Sequence, residues 1–147
     1  MEQDQSKVTE QVAPSFAFGS TQEIYLVDDE FKALQVGEVI LKSNGYSVRS
    51  FQDPGEAYDA YHGASKKPGL LISDYSMPQM NGVELMVKCR QICPDLKVII
   101  LSGTLENEAL HRYPFKVNAF FEKPIHSQNF LKVVAGLLAP SSNTPGN

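Results

Sequence analysis

Cysteine is scarce. Cys89 and Cys93 are the only two in 147 residues, which is not a disulfide framework. Tryptophan is absent, so indole fluorescence offers no view of any site. Long apolar runs are missing too. Stretches such as Val98-Ile99-Ile100-Leu101 are far too short to span a bilayer. The start, MEQDQSKVTEQ, lacks the charged lead and apolar stretch of a signal peptide, so a cytoplasmic location is expected. No charge of one sign dominates. Thirteen Lys and Arg stand against 17 Asp and Glu, a net charge of -4, which gives no electrostatic reason to expect direct nucleic-acid binding. No GxxxxGK[ST] or GxGxxG loop is present to cradle a phosphate. What remains is ordinary for a globular chain, 42% apolar and 20% charged, with room for one domain.

Residues 1–21 are polar without apolar period and read as a flexible tail; 140–147 are turn-forming and read the same way. Between them, over 22–139, strand and helix patterns alternate. Ile24–Val27 is a short apolar run of the kind a strand covered on both faces needs. A helix follows from about Glu30 to Ser43, stopped by Asn44-Gly45. Tyr46 to Phe51 mixes polar and apolar residues, as an edge strand does. Asp53-Pro54-Gly55-Glu56 opens a second helix with a capping residue, a first-turn proline and a glutamate placed to bond back. Leu70–Ile72 is a buried-type strand ending at Ser73-Asp74. Asn81-Gly82-Val83-Glu84 repeats the capping pattern before a helix to Ile92. Lys97 to Leu101 is the most apolar strand. A short helix is expected from Glu106 to Tyr113, a fifth strand at Asn118 to Phe121, and a last helix from Phe130 to Leu138. Repeats of this kind give an α/β domain with a doubly wound five-stranded parallel sheet and helices on both faces. The three most apolar strands are the first, third and fourth, as the order 2-1-3-4-5 requires.

In such a sheet, ligands bind beyond the carboxyl ends of the strands. Asp28 and Asp29 follow the first strand, Asp74 ends the third, Ser102 the fourth, and Lys123 follows the fifth. Each has an ordinary explanation: adjacent acids as caps, Asp74 as a turn organiser, Lys123 as a solvated lysine. Their joint placement changes the balance. Three carboxylates on one rim repel unless a cation sits among them or some take up protons, and hard oxygen donors with room for water and phosphate favour Mg2+.

The segments IYLVDDE, LLISDYSMPQMNG, VIILSGT and NAFFEKP resemble, in order and spacing, the signature blocks of bacterial two-component response-regulator receiver domains, chemotaxis regulators included. The resemblance implies a flavodoxin-like fold and a phosphorelay role in the cytoplasm. It makes Asp74 the phosphoacceptor, taking a phosphoryl group from a histidine kinase or phosphotransfer protein. Asp28, Asp29, Asp74 and the Ser76 main-chain carbonyl become the Mg2+ ligands. Lys123 pairs with Asp74 and then with the phosphoryl group, Ser102 bonds a phosphoryl oxygen, and Phe120 is the switching aromatic. It also implies a cis Lys123–Pro124 bond. Output then passes to an unknown protein or a second copy of the chain, with no enzyme activity beyond self-catalysed phosphoryl transfer and autodephosphorylation.

Some features depart from the family pattern. Phe120 lacks a tyrosine hydroxyl, so switching must act through packing, and Pro114 cuts short the helix that usually carries output. By the resemblance, Thr104 and Ser76 stand at positions that in this family tune phosphoryl lifetime. Cys89 and Cys93, one turn apart, read as core; His62, His111 and His126 take no catalytic role; Phe31, Met86 and Phe130 are expected in the core. Two other readings stand beside the main one: a degenerate receiver serving only as an interaction module, and a Mg2+-dependent aspartyl phosphatase or phosphotransferase. Few residues follow Leu138, as expected of a stand-alone regulator or of a fragment.

Overall fold

The computed structural model describes residues 22–103 and 116–139. The two expected tails, the expected 106–113 helix, Thr104, His111 and Pro114 lie outside those residues. Five strands, β1 (Glu23–Val27), β2 (Ser47–Phe51), β3 (Leu70–Asp74), β4 (Lys97–Ser102) and β5 (Ala119–Glu122), form one sheet in the order β2-β1-β3-β4-β5. Every neighbouring pair is parallel. The helices are α1 (Phe31–Ser43), α2 (Pro54–Gly63), α3 (Gly82–Ile92) and α4 (Ser127–Leu138). None of them is long and apolar enough to cross a membrane.

Apolarity places the strands. β3 is buried at all five positions, and β1 and β4 at all but their first. β2 alternates exposed and half-buried residues up to Phe51, and β5 is half-buried, so these two form the edges. Side-chain alternation then splits the core. Tyr25, Val27, Leu71, Val98 and Ile100 face α2 and α3, joined by Tyr61, Val83, Met86 and Cys89. Ile24, Leu26, Ile72, Ile99 and Leu101 face the other way, against Leu34 and Leu41 of α1 and Phe130 and Val134 of α4.

Local chemistry sets the helix ends. Asn81 and Glu84 form a reciprocal capping box, both bonds 2.8 Å, that starts α3. Asp53 caps α2 more weakly, through a 3.4 Å bond from the Gly55 amide. Past the α1 end, Gly45 takes φ +89° and returns its N–H to the Lys42 carbonyl, a conformation that favours glycine. Met86 and Phe130 are fully buried as expected, but Phe31 is not: it is 54% exposed. It is the first residue of α1 and lies off the stripe of Leu34, Gly37 and Leu41 that meets the sheet, so its period suggested a core position its angle does not provide.

Candidate functional site

The parallel strands bring their carboxyl ends to one rim. There Asp28 follows β1, Asp74 closes β3, Ser102 closes β4 and Lys123 follows β5. Carboxylate oxygens of Asp28, Asp29 and Asp74 lie within 4.8 Å of one another. Asp28 and Asp74 are buried and Asp29 is exposed, so the cluster opens to solvent on one side. Lys123 Nζ donates to Asp28 Oδ2 at 2.8 Å and lies 3.3 Å from Asp74 Oδ1. The ammonium thus bridges both buried acids: the expected pairing with Asp74 is present, and Asp28 is a second and closer partner. The Lys123–Pro124 bond is cis, as expected.

Each group is held from behind. Asp28 Oδ1 accepts the Glu30 N–H at 2.9 Å, and the Asp28 N–H donates to the Phe51 carbonyl at 3.1 Å. The Lys123 N–H donates to the Ser102 carbonyl at 2.8 Å, tying the lysine to the end of β4. Ser102 is buried, Ser76 is exposed in the β3–α3 loop, and Phe120 is half-buried against the α2/α3 side of the core. In the same loop Gln79 takes φ +75°, and the Met80 N–H reaches the Pro78 carbonyl at 2.8 Å, a tight three-residue turn.

Two residues that support Asp74 went unmarked by sequence pattern alone. The buried Ser73 hydroxyl donates to the Asp74 carbonyl at 2.9 Å. Gly82, first residue of α3, packs so closely that a Cβ there would lie 2.4 Å from the same carbonyl. The available signals were a lone hydroxyl inside the apolar run LLISD and a glycine directly after a capping asparagine.

The electrostatics follow from this crowding. Burial and the neighbouring Asp28 charge push the Asp74 carboxyl up to about 6, with Lys123 pulling the other way. For Lys123, burial acts to lower the ammonium. The hydrogen bond and charge of Asp28, with the charge of Asp74, outweigh it and hold Lys123 above its ordinary value. An excess of buried negative charge and a donor set made only of oxygens fit a hard divalent cation. The cysteines do not compete for that role. Cys89 is in the core, where burial pushes its thiol up to about 12, and Cys93 is half-buried beside it. His62 and His126 are exposed and belong to no metal-binding cluster among the described residues.

Known proteins share this architecture. A family model of the response regulator receiver domain matches residues 24–135. The sensor kinase CckA of Brucella abortus (strain 2308) is 28% identical over 116 residues, covering 78% of this chain and 12% of that protein. The DNA-binding transcriptional regulator NtrC of Escherichia coli (strain K12) is 34% identical over 86 residues, covering 58% of this chain and 18% of that protein. The chain therefore spans under a fifth of either relative's length. A crystal structure of a CheY-like response regulator receiver domain protein from Methanospirillum hungatei JF-1 aligns with a TM-score of 0.70 at 28% identity, covering 81% of this chain and 94% of that one. The family match runs from the first strand into the last helix over a sheet of the expected order, and the chain belongs to the receiver domains of two-component response regulators.

Proposed function

We propose that residues 22–139 form a phosphoacceptor domain in which Asp74 receives a phosphoryl group from a histidine kinase or phosphotransfer protein. One observation carries the reading: the convergence of Asp28, Asp29, Asp74 and Lys123, drawn from separate chain segments, at one rim of the sheet. Asp28, Asp29, Asp74 and the Ser76 carbonyl would hold Mg2+, which when bound supplies neutralising charge for the transferring group.

The chain's own groups do the rest. A carboxylate oxygen of Asp74 forms the bond to phosphorus as the bond from phosphorus to the donor nitrogen breaks, and the donor imidazole leaves. Lys123, already 3.3 Å from Asp74 Oδ1, follows the negative charge onto the phosphoryl oxygens. Ser102, at the end of β4 beside Asp74, offers a hydroxyl to one of them. In-line attack by water releases phosphate and restores Asp74, so the signal limits itself. The added charge draws Ser102 inward and opens space for Phe120, and output passes through packing at β4 and β5 to a partner protein or a second copy of the chain.

The test is intact mass after incubation with Mg2+ and acetyl phosphate or a phosphorylated kinase. One added phosphoryl group, absent in Asp74→Asn and slowly lost on standing, is expected. No uptake by the wild type identifies a degenerate receiver, and turnover of small phosphate esters identifies an enzyme.

A further inference from the structure

Lys123 reaches the site only if β5 pairs with β4 in one register, and the apolar pattern of β5 defines that register weakly. Phe120 and Phe121 are adjacent, one on each face of the sheet, and Ala119, Phe120 and Phe121 are all only half-buried. A one-residue slip that sets Phe121 opposite Ile100 still places an apolar ring on the α2/α3 face. Its penalties are Phe120 in the place of Ala119, Glu122 in the half-buried place of Phe121, and Pro124, which has no N–H for the Ser102 carbonyl, in the place of Lys123. The same slip carries Lys123 to the opposite face of the sheet. Something besides apolarity must select the native pairing.

We infer that Asn118 and Arg90, at the far end of the sheet, lock the β5 register and thereby position Lys123. The Asn118 N–H donates to the Val98 carbonyl at 3.0 Å, while Asn118 Oδ1 accepts the Val98 N–H at 2.7 Å. Both main-chain groups of Val98 are thus met by one residue, whose side-chain amide stands where a main-chain carbonyl serves further along the ladder. A one-residue slip puts Ala119 in this place, whose N–H can still meet the Val98 carbonyl but which has no side-chain oxygen, so the slipped strand forfeits the bond from the Val98 N–H and the anchor for Arg90. Arg90, in the last turn of α3, then fastens the asparagine. Its guanidinium donates to Asn118 Oδ1 at 3.0 Å and to the Lys116 carbonyl at 2.6 Å, while Nε reaches the Leu96 carbonyl at 3.1 Å. One cation therefore joins α3, the approach to β4 and the entry to β5. Four residues lie between Asn118 and Lys123, a span of roughly 16 Å of extended chain. Asn118 and Arg90 are positioning residues and neither touches the acids.

The consequence for phosphoryl transfer rests on the proposed function, but the lock is testable without it. In the wild type, acetylation of Lys123 by acetic anhydride, scored by mass spectrometry against exposed Lys32, should be slow. Asn118→Leu should raise it at least fivefold and replace Ile100–Phe120 cross-strand NOEs with Ile100–Phe121 ones. Asn118→Asp, which keeps an acceptor for Val98 and Arg90, should label as wild type. Arg90→Met should give a rise between the two, and it decides the matter if Asn118→Leu does not fold by circular dichroism. Unchanged labelling in a folded Asn118→Leu, or in Arg90→Met where the former fails to fold, overturns the inference. In a parallel arm with acetyl phosphate and Mg2+, uptake should fall about tenfold wherever labelling rises. A wild type that takes up no phosphoryl group refutes the proposed function, while the labelling rates still decide whether the lock exists.

Discussion

Replacing Asp74 with asparagine should stabilise the metal-free protein at neutral pH and do nothing at low pH. Asp74 is buried beside Asp28, and together these raise its carboxyl from 3.8 to about 6. A carboxyl raised by folding keeps a proton that the unfolded chain has already released. Stability is therefore highest below the unfolded value, falls as the pH climbs from about 4 to about 6, and stays reduced above that. A shift of roughly two units corresponds to about 3 kcal/mol of lost stability at pH 7.5. Asparagine fills the same space, keeps an oxygen for Lys123 and carries no charge, so it escapes that loss. For a domain of this size the gain is roughly 10 °C in Tm. Thermal unfolding followed by far-ultraviolet circular dichroism, with a chelator present, at pH 4 and pH 7.5 measures both arms. A difference between variant and wild type that is the same at both pH values would refute the reasoning. So would an Asp74→Asn protein no more stable than wild type at pH 7.5.

Three further outcomes follow from the same geometry. Lys123→Met removes the ammonium that bridges Asp28 and Asp74, so the Asp74 carboxyl should titrate above about 6 in carbon-detected NMR; an unmoved midpoint would show that the ion pair is not formed in solution. Mg2+ should raise the wild-type Tm, by about 2.7 kcal/mol of linkage at a hundredfold excess over Kd, and the rise should shrink sharply in Asp28→Asn; equal rises in both proteins would remove Asp28 from the ligand set. Gly82→Ala drives a methyl into the Asp74 carbonyl and should cost about 1–3 kcal/mol by urea unfolding, more than the Gly63→Ala control, where a Cβ meets no neighbour; a smaller loss at Gly82 than at Gly63 would mean that the contact relaxes freely.

Much of this protein is legible in the chain because its information is local or periodic. Continuous apolar runs marked β1, β3 and β4 as interior strands. Asn81 and Glu84 announced the start of α3, and Asn44-Gly45 the end of α1. The sites of Asp28, Asp74 and Lys123 at strand ends followed from the rule that parallel sheets present their carboxyl termini to ligands. Residue type and spacing suffice for such features, since they depend on neighbours within a turn or a strand. Contacts between distant segments are another matter. Phe31 carries a core residue's hydrophobicity, yet the angle at which α1 meets the sheet turns it outward. Lys123 is nearest to Asp28 and not to Asp74 because the lateral placement of β1, β3 and β5 decides which carboxylate the ammonium meets first. Gly82 acquires its role only when α3 folds back onto the end of β3. Asn118 and Arg90, 28 residues apart, meet only once β5 has joined β4. Sequence determined the elements and the kinds of group at the rim; only the packed sheet decided the distances between them, because those distances are set by side chains interlocking across segments far apart in the chain.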